Sequence, residues 1–168
     1  MAKKLYYDYL TQDNQSYFLI ATEKGLCFLG CVDMDEQYWG KWKQKYYGEF
    51  TVIHSSKALE SYVTELSTYL DKKKKCPSIS IDLEGTAFQR EVWHALQTIP
   101  YGEVSTYSSI ATQINRPKAV RAVANAISAN PLLIFIPCHR VIGKNGGLTG
   151  FRSGIDVKKK LLELESRR

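Results

Sequence analysis

The chain has 168 residues, 44% of them hydrophobic, and a net charge of +6; that length allows one large domain or two small ones, with enough apolar content for a real core. No apolar run approaches the roughly 20 residues of a membrane span, and Met1 to Asp8 holds no signal-peptide stretch, so a cytoplasmic protein with no membrane partner is expected. The charge is uneven: residues 1–85 carry 11 Lys/Arg against 12 Asp/Glu, net −1, whereas residues 86–168 carry 12 against 5, net +7, so the second half is the one that suits a polyanion such as nucleic acid.

In chain order, residues 17–22 and 26–32 are apolar and aromatic runs split by Glu23-Lys24-Gly25, a hairpin signal. Cys27 and Cys31 flank the second run. With His54 and Cys76 they could hold a metal, but the spacing fits no standard ligand pattern and no metal is expected. The four cysteines, Cys138 included, form no Cys-x-x-Cys pair, which argues against structural disulfides. Leu59, Val63, Leu66 and Leu70 recur at helical spacing. That helix runs into lysines 72–75, a solvated end favoured near the C-terminal dipole. Ile79, Ile81 and Leu83 alternate and predict a half-buried strand leading into the second half. A boundary follows there, giving domains 1–83 and 84–168.

The second half opens with Thr86 and Gln89 in a capping-box pattern. Phe88, Val92, Ala95 and Leu96 form one face of the helix that follows, and Pro100-Tyr101-Gly102 ends the region with a turn. Residues 105–111 predict a short helix with polar caps. Asn115-Arg116-Pro117 then breaks the chain, and Pro117 suits the first turn of a helix over 118–129 that stops before Asn130-Pro131. Two short helices with a tight connection suggest a helix-turn-helix. In the second, Val120, Val123, Ala124 and Ile127 form a packed face, and Lys118, Arg121, Asn125 and Ser128 line another. Ala119, Ala122 and Ala126 keep its surface low, which suits a nucleic-acid groove. An alanine-rich core helix is the alternative, and the local basic charge favours the groove.

Residues 134–141 then bring an apolar run, one cysteine, a histidine and an arginine together, with a Gly-rich loop directly after. Residues 132–136 read as a short buried strand that Pro137 ends, with Cys138 at its tip. A thiol beside groups that favour thiolate becomes a nucleophile; a small core cysteine before a surface His-Arg pair is the alternative. In the last helix Val157, Leu161 and Leu164 repeat on one arc, and Glu165 falls on it too. A carboxylate there needs a partner. His139, Arg140 and Lys158 are candidates, although Lys158 can also snorkel outward. With His139 the set becomes nucleophile, base and orienting carboxylate; with Arg140 the pair is structural. The residues leave both open.

Pro137-Cys138-His139-Arg140-Val141 resembles the active-site signature of the 6-O-alkylguanine-DNA alkyltransferases, also called methylated-DNA–protein-cysteine methyltransferases. The resemblance extends in order through Gly85-Thr86-x-Phe88-Gln89-x-x-Val92-Trp93, Ile99-Pro100-Tyr101-Gly102, Ala119-Val120-Arg121-Ala122-Val123 and Asn130-Pro131. Gly146-Gly147-Leu148-Thr149-Gly150-Phe151 and Lys160-Leu161-Leu162-x-x-Glu165 complete it, covering residues 84–165.

This resemblance implies an α+β chain. A small α/β N-terminal domain, an antiparallel sheet plus helices and ribonuclease-H-like, would support a helical C-terminal domain with a winged-helix-like helix-turn-helix. It implies a monomer that binds double-stranded DNA containing alkylated guanine and needs no cofactor. The alkyl group of 6-O-alkylguanine, or of 4-O-alkylthymine, would pass once and irreversibly to Cys138 after the base is flipped out through the minor groove. By analogy His139 deprotonates Cys138 through a water, Glu165 orients His139, Tyr107 donates toward guanine N3, and Asn130 is the hinge. The carbonyls of Cys138 and Val141 would accept from the guanine amino group, and the Arg152 N–H would approach its oxygen. Arg121 would replace the flipped base, with Lys118, Asn125, Ser128 and Thr106 on the DNA and Val141, Phe151, Arg152 and Tyr107 around the base. Phe151 stands where tyrosine is frequent, and Arg152 where smaller residues occur. Alkyl-damage binders of the same fold lack the acceptor cysteine, so Cys138 argues against a non-catalytic binder. A cysteine hydrolase would turn over, and a transcription regulator would discriminate among undamaged sequences.

Overall fold

Strand pairing starts earlier in the chain than the apolar runs announce. In the computed structural model, which describes residues 3–75 and 77–166, β1 (Lys4–Gln12), β2 (Gln15–Ala21) and β3 (Leu26–Cys31) form an antiparallel meander. β4 (Thr51–His54) joins parallel to β1, so the sheet order is β3-β2-β1-β4. The β1–β2 turn is Asp13-Asn14, with φ of 53° and 62°, a left-handed pair that these two residue types tolerate. All six residues of β3 are buried. α1 (Val32–Tyr47) packs on β2 and β3, and α2 (Ser56–Leu70) on β1 and β2. α2 buries Leu59, Leu66 and Leu70, as its spacing requires.

The strand expected through Ile79, Ile81 and Leu83 does not form. It shrinks to a single parallel bridge between Leu26 and Ile81, closed by Leu26 N–H on the Ser80 carbonyl at 2.9 Å and Asp82 N–H on the Leu26 carbonyl at 2.9 Å. Asp82 then turns to accept from the Thr22 hydroxyl at 2.5 Å, which ends the pairing. Gly25 admits this close approach, because a Cβ there would lie 2.6 Å from the Ser80 oxygen.

The chain divides into two compact units between Glu84 and Gly85. The second unit is mostly helical. α3 (Ala87–Leu96) opens on the Thr86–Gln89 capping box, with Gln89 N–H on the Thr86 hydroxyl at 3.1 Å and the return bond at 3.0 Å. Trp93 is fully buried, and its indole N–H donates to the Ala126 carbonyl at 2.8 Å, pinning α3 to the second helix of the helix-turn-helix. That motif is α4 (Tyr107–Gln113), capped by Thr106, and α5 (Val120–Ser128). α5 starts later than the expected 118–129, because Arg116 and Ala119 close a separate turn at 2.9 Å before the helix begins. A short parallel pair, β5 (Ser105–Thr106) with β6 (Val141–Ile142), and α6 (Ile155–Ser166) complete the unit.

Residues 132–136 are not a strand. Ile134 has a φ of 72°, and the segment turns on itself through Phe135 N–H to the Leu133 carbonyl at 2.8 Å and Ile136 N–H to the Leu132 carbonyl at 3.0 Å. The run is apolar because it is buried, and Asn130 supplies the hydrogen bonds that a sheet would otherwise give. Among the described residues, no helix is long and apolar enough to cross a membrane.

Candidate active site

Cys138, His139 and Arg140 form one turn of 3₁₀ helix rather than the tip of a strand. With three residues per turn, successive side chains leave in different directions. Cys138 faces a pocket, while His139 and Arg140 reach α6. The His139 ring is fully buried, and its Nε2 lies 2.8 Å from Glu165 Oε1. Arg140 holds the same carboxylate in two places, Nε to Oε2 at 2.9 Å and Nη2 to Oε1 at 2.7 Å. Glu165 therefore has both of its candidate partners at once, because a carboxylate accepts several bonds where a sequence pattern suggests one. The third candidate does not snorkel: Lys158 is 1% exposed and donates from Nζ to the Val141 carbonyl at 2.6 Å and the Thr149 carbonyl at 3.3 Å.

Asn130 knits the buried loop together. Its Nδ2 donates to the Ile136 carbonyl at 2.8 Å and the Leu132 carbonyl at 3.3 Å, and its Oδ1 accepts from Leu132 N–H at 2.9 Å. Burial pushes the Cys138 thiol above its ordinary range; a hydrogen bond from Asn130 and the charges of Arg152 and Lys158 pull the other way without winning. Burial also holds the His139 imidazole below its usual range, against the pull of Glu165 and with help from Arg140 and Lys158. The ring is thus neutral in the fold and protonates more easily once unfolded. Stability is then full above the unfolded value and falls as pH drops below about 6.5. Urea unfolding from pH 7.5 to 5.5 is expected to show that decline, and His139→Gln to lessen it.

The pocket in front of Cys138 has a volume of about 10 Å³ and is lined by Tyr107, Ser128, Asn130, Phe151, Arg152 and Lys158 among others. Room for roughly one water remains. Tyr107 donates its hydroxyl to the Thr149 carbonyl at 3.2 Å, and Arg152 Nη2 donates to the Asn130 carbonyl at 2.9 Å. Both bonds tie residues 149–152 across the opening. Val141 is buried, and its carbonyl is taken up by Lys158, while the Cys138 carbonyl accepts from the Val141 N–H. On α5, Arg121, Asn125 and Ser128 are exposed, as is Lys118 just before it. Ala126, expected on the low outer surface, is instead 3% exposed beneath Trp93. Thr106 spends its hydroxyl on the Ser109 N–H at 3.1 Å. What the residue pattern missed is the buried Lys158 anchor and the double role of Glu165; the apolar arc that carries Lys158 beside Glu165 was the one available signal.

In the N-terminal unit Cys27 is buried, its thiol pushed up to about 12 by that burial, and it donates to the Ile20 carbonyl at 3.4 Å. Cys76 lies outside the described residues. Among those described, no group of three or more His, Cys, Asp or Glu is placed to hold a metal.

The family model for the DNA-binding domain of 6-O-methylguanine DNA methyltransferase matches residues 87–167. The chain is 44% identical over 163 residues to the inducible methylated-DNA–protein-cysteine methyltransferase of Bacillus subtilis, covering 97% of this chain and 91% of that one. The chain belongs to the methylated-DNA–protein-cysteine methyltransferase family. The family member of Methanosarcina barkeri is 40% identical, covering 96% of this chain and 97% of its own. Among solved structures, the O6-methylguanine methyltransferase of Mycobacterium tuberculosis superposes with a TM-score of 0.84 at 37% identity, covering 98% of this chain and 94% of that one. The same bacterium's protein in complex with DNA gives 0.83 at 36% identity, covering 96% and 92%. The expected α+β fold, with its α/β first domain and helix-turn-helix second domain, is the fold of the methyltransferase family.

Proposed function

We propose that this chain repairs DNA by direct reversal, moving the alkyl group of 6-O-alkylguanine onto its own Cys138 in a single irreversible turnover. The observation that carries this reading is the 3₁₀ turn, which sets a buried thiol in a closed pocket and turns the next side chain onto a buried carboxylate. Double-stranded DNA containing the damaged base is the partner. The chain acts as a monomer in the cytoplasm, without metal or cofactor, and residues 1–84 form a supporting domain.

The thiol is protonated at neutral pH because burial pushes it up, so the reaction needs a base. The Cys138 S–H proton passes through a water to Nδ1 of the neutral His139, while the Nε2 proton stays in its hydrogen bond to Glu165. The thiolate pair then forms the S–C bond as the C–O6 bond breaks. The released pair moves onto the guanine, which takes a proton at N3 from Tyr107. Little charge builds at the alkyl carbon, so donors aimed at the leaving base matter more than an acyl oxyanion hole. The thioether has no labile bond, and one alkyl group ends the life of one molecule.

A guanine cannot enter a cavity of about 10 Å³, so residues 149–152 move aside, exchanging their bonds to Tyr107 and Asn130 for contacts with the base. Phe151 and Val141 wall the site, with the Arg152 N–H toward the guanine oxygen. Arg121 fills the gap in the stack, and Lys118, Asn125, Ser128 and Thr106 meet the backbone. Arg121→Ala is expected to slow transfer from duplex DNA about tenfold or more, the size of a lost unstacking aid of about one to two kcal/mol. It should leave transfer from the free base 6-O-methylguanine unchanged; rates on both substrates check this. For the repair reading itself, methyl loss from DNA is expected to stop at one equivalent per protein. Release that continues past that point would mark a turnover enzyme and overturn the proposal.

A further inference from the structure

Arg140 has no part in the proton path from Cys138 to His139, yet no side chain in the site is fixed more completely. Its Nε and Nη2 clamp both oxygens of Glu165 at 2.9 Å and 2.7 Å, and its Nη1 donates to the Ile99 carbonyl at 2.7 Å. Its guanidinium carbon lies 5.7 Å from the centre of the Tyr101 ring. Three nitrogens and one flat face are thus held by α6 and by the turn after α3. A merely space-filling residue would not need that geometry.

The consequence falls on His139. Its Nε2 shares Glu165 Oε1 with Arg140, while its Nδ1 is buried with no hydrogen-bond partner in the protein. A carboxylate and an imidazole alone in a buried site can settle as carboxylate and imidazolium. In that state both ring nitrogens carry protons and neither can accept one. Here the guanidinium already supplies the positive charge that balances Glu165.

We infer that Arg140 is a positioning residue for alkyl transfer: by clamping Glu165 it keeps the His139 proton on Nε2 and leaves the Nδ1 lone pair open to the Cys138 proton. The inference rests on the repair reading for its consequence, but not for the protonation state of the ring. The Cys138 S–H bond breaks, the Nδ1–H bond forms, and the electron pair stays on sulfur; Arg140 exchanges no proton. The charged and titratable groups facing His139 are Glu165 and Lys158 from α6, and Arg140 and Cys138 from its own turn. Tyr101 faces the Glu165–Arg140 pair from the turn after α3. From α3 itself, Arg90 and His94 are exposed and Glu91 pairs with Arg116.

Methyl-transfer rates between pH 5.5 and 9 for the wild type, Arg140→Gln and Arg140→Lys test the inference, together with thermal unfolding. In Arg140→Gln the acid limb of the rate profile is expected to move up by about one pH unit. The rate at pH 7 then falls by up to about threefold and is regained at pH 9. Arg140→Lys, which restores the charge, is expected to keep the limb near its wild-type position. Equal losses at every pH in both variants, with the limb unmoved, would reduce Arg140 to packing and overturn the inference. If Arg140→Gln fails to fold, the nitrogen NMR shifts of His139 in the wild type decide. A protonated Nε2 with a bare Nδ1 at pH 7 is expected, and an imidazolium there overturns it. That measurement needs no alkyl transfer, so a wild type without activity sinks the repair reading and leaves this one standing or falling by itself.

Discussion

Glu165→Ala is expected to be the most damaging single substitution in the chain. It removes the acceptor for three hydrogen bonds, one from His139 and two from Arg140, at a side chain only 1% exposed. Arg140 keeps its charge in a site that no longer balances it, and an uncompensated buried charge costs about 3–5 kcal/mol. For a chain of this length that corresponds to a fall of roughly 10 °C in Tm. Transfer should disappear as well, because nothing then fixes the His139 tautomer. Urea unfolding and transfer rates at a temperature where the variant is folded separate the two effects. Glu165→Gln keeps the volume and an acceptor oxygen but loses the charge, so it is expected to recover less than half of the stability. A Glu165→Ala variant as stable as the wild type would mean that Glu165 does not balance the buried charge of Arg140.

Asn130→Ala is expected to follow closely. Asn130 is 1% exposed and satisfies two buried carbonyls and one buried N–H in the loop that ends at Cys138. Its removal leaves backbone groups of Leu132 and Ile136 short of partners, which costs about 2–4 kcal/mol. The loop has no sheet to fall back on, since Ile134 sits at positive φ and the segment turns back on itself through Phe135 N–H to the Leu133 carbonyl and Ile136 N–H to the Leu132 carbonyl. The loss also reaches the chemistry, because the Asn130 amide pulls the Cys138 thiol down against the rise that burial causes. A fall in stability together with a rise in the thiol's reactive pH, read by iodoacetamide labelling at several pH values, is the expected result. Destabilisation with an unchanged labelling profile would confine Asn130 to structure.

These two residues also show where the sequence speaks and where it stops. Glu165 could be found because helical periodicity is local: its place on the apolar arc with Leu161 follows from spacing alone, and both are buried. The Thr86–Gln89 box and the α2 stripe were legible for the same reason. The candidate partners of Glu165 were legible, but that His139 and Arg140 share it was not, because this depends on where a turn 25 residues away is set. Asn130 marks a second limit. Apolar residues 132–136 look the same whether strand neighbours or one asparagine side chain satisfies their backbone. β1 and α1 escaped notice because their faces mix tyrosines and tryptophans with charges, so neither a period of 2 nor one of 3.6 stands out. Arg121, Asn125 and Ser128 are exposed on one side of α5, as helix phase requires, and Lys118 is exposed just before it, whereas Ala126 is covered by α3.

The most direct measurement is the intact mass of the protein after mixing with duplex DNA that holds one 6-O-methylguanine, followed by peptide mapping. Single-turnover transfer to Cys138 predicts a gain of one methyl group per molecule, located on that residue and absent in Cys138→Ala, which should still bind the duplex. Tight binding of the damaged duplex by the wild type without any gain in mass would contradict it and leave a protein that recognises the lesion without repairing it.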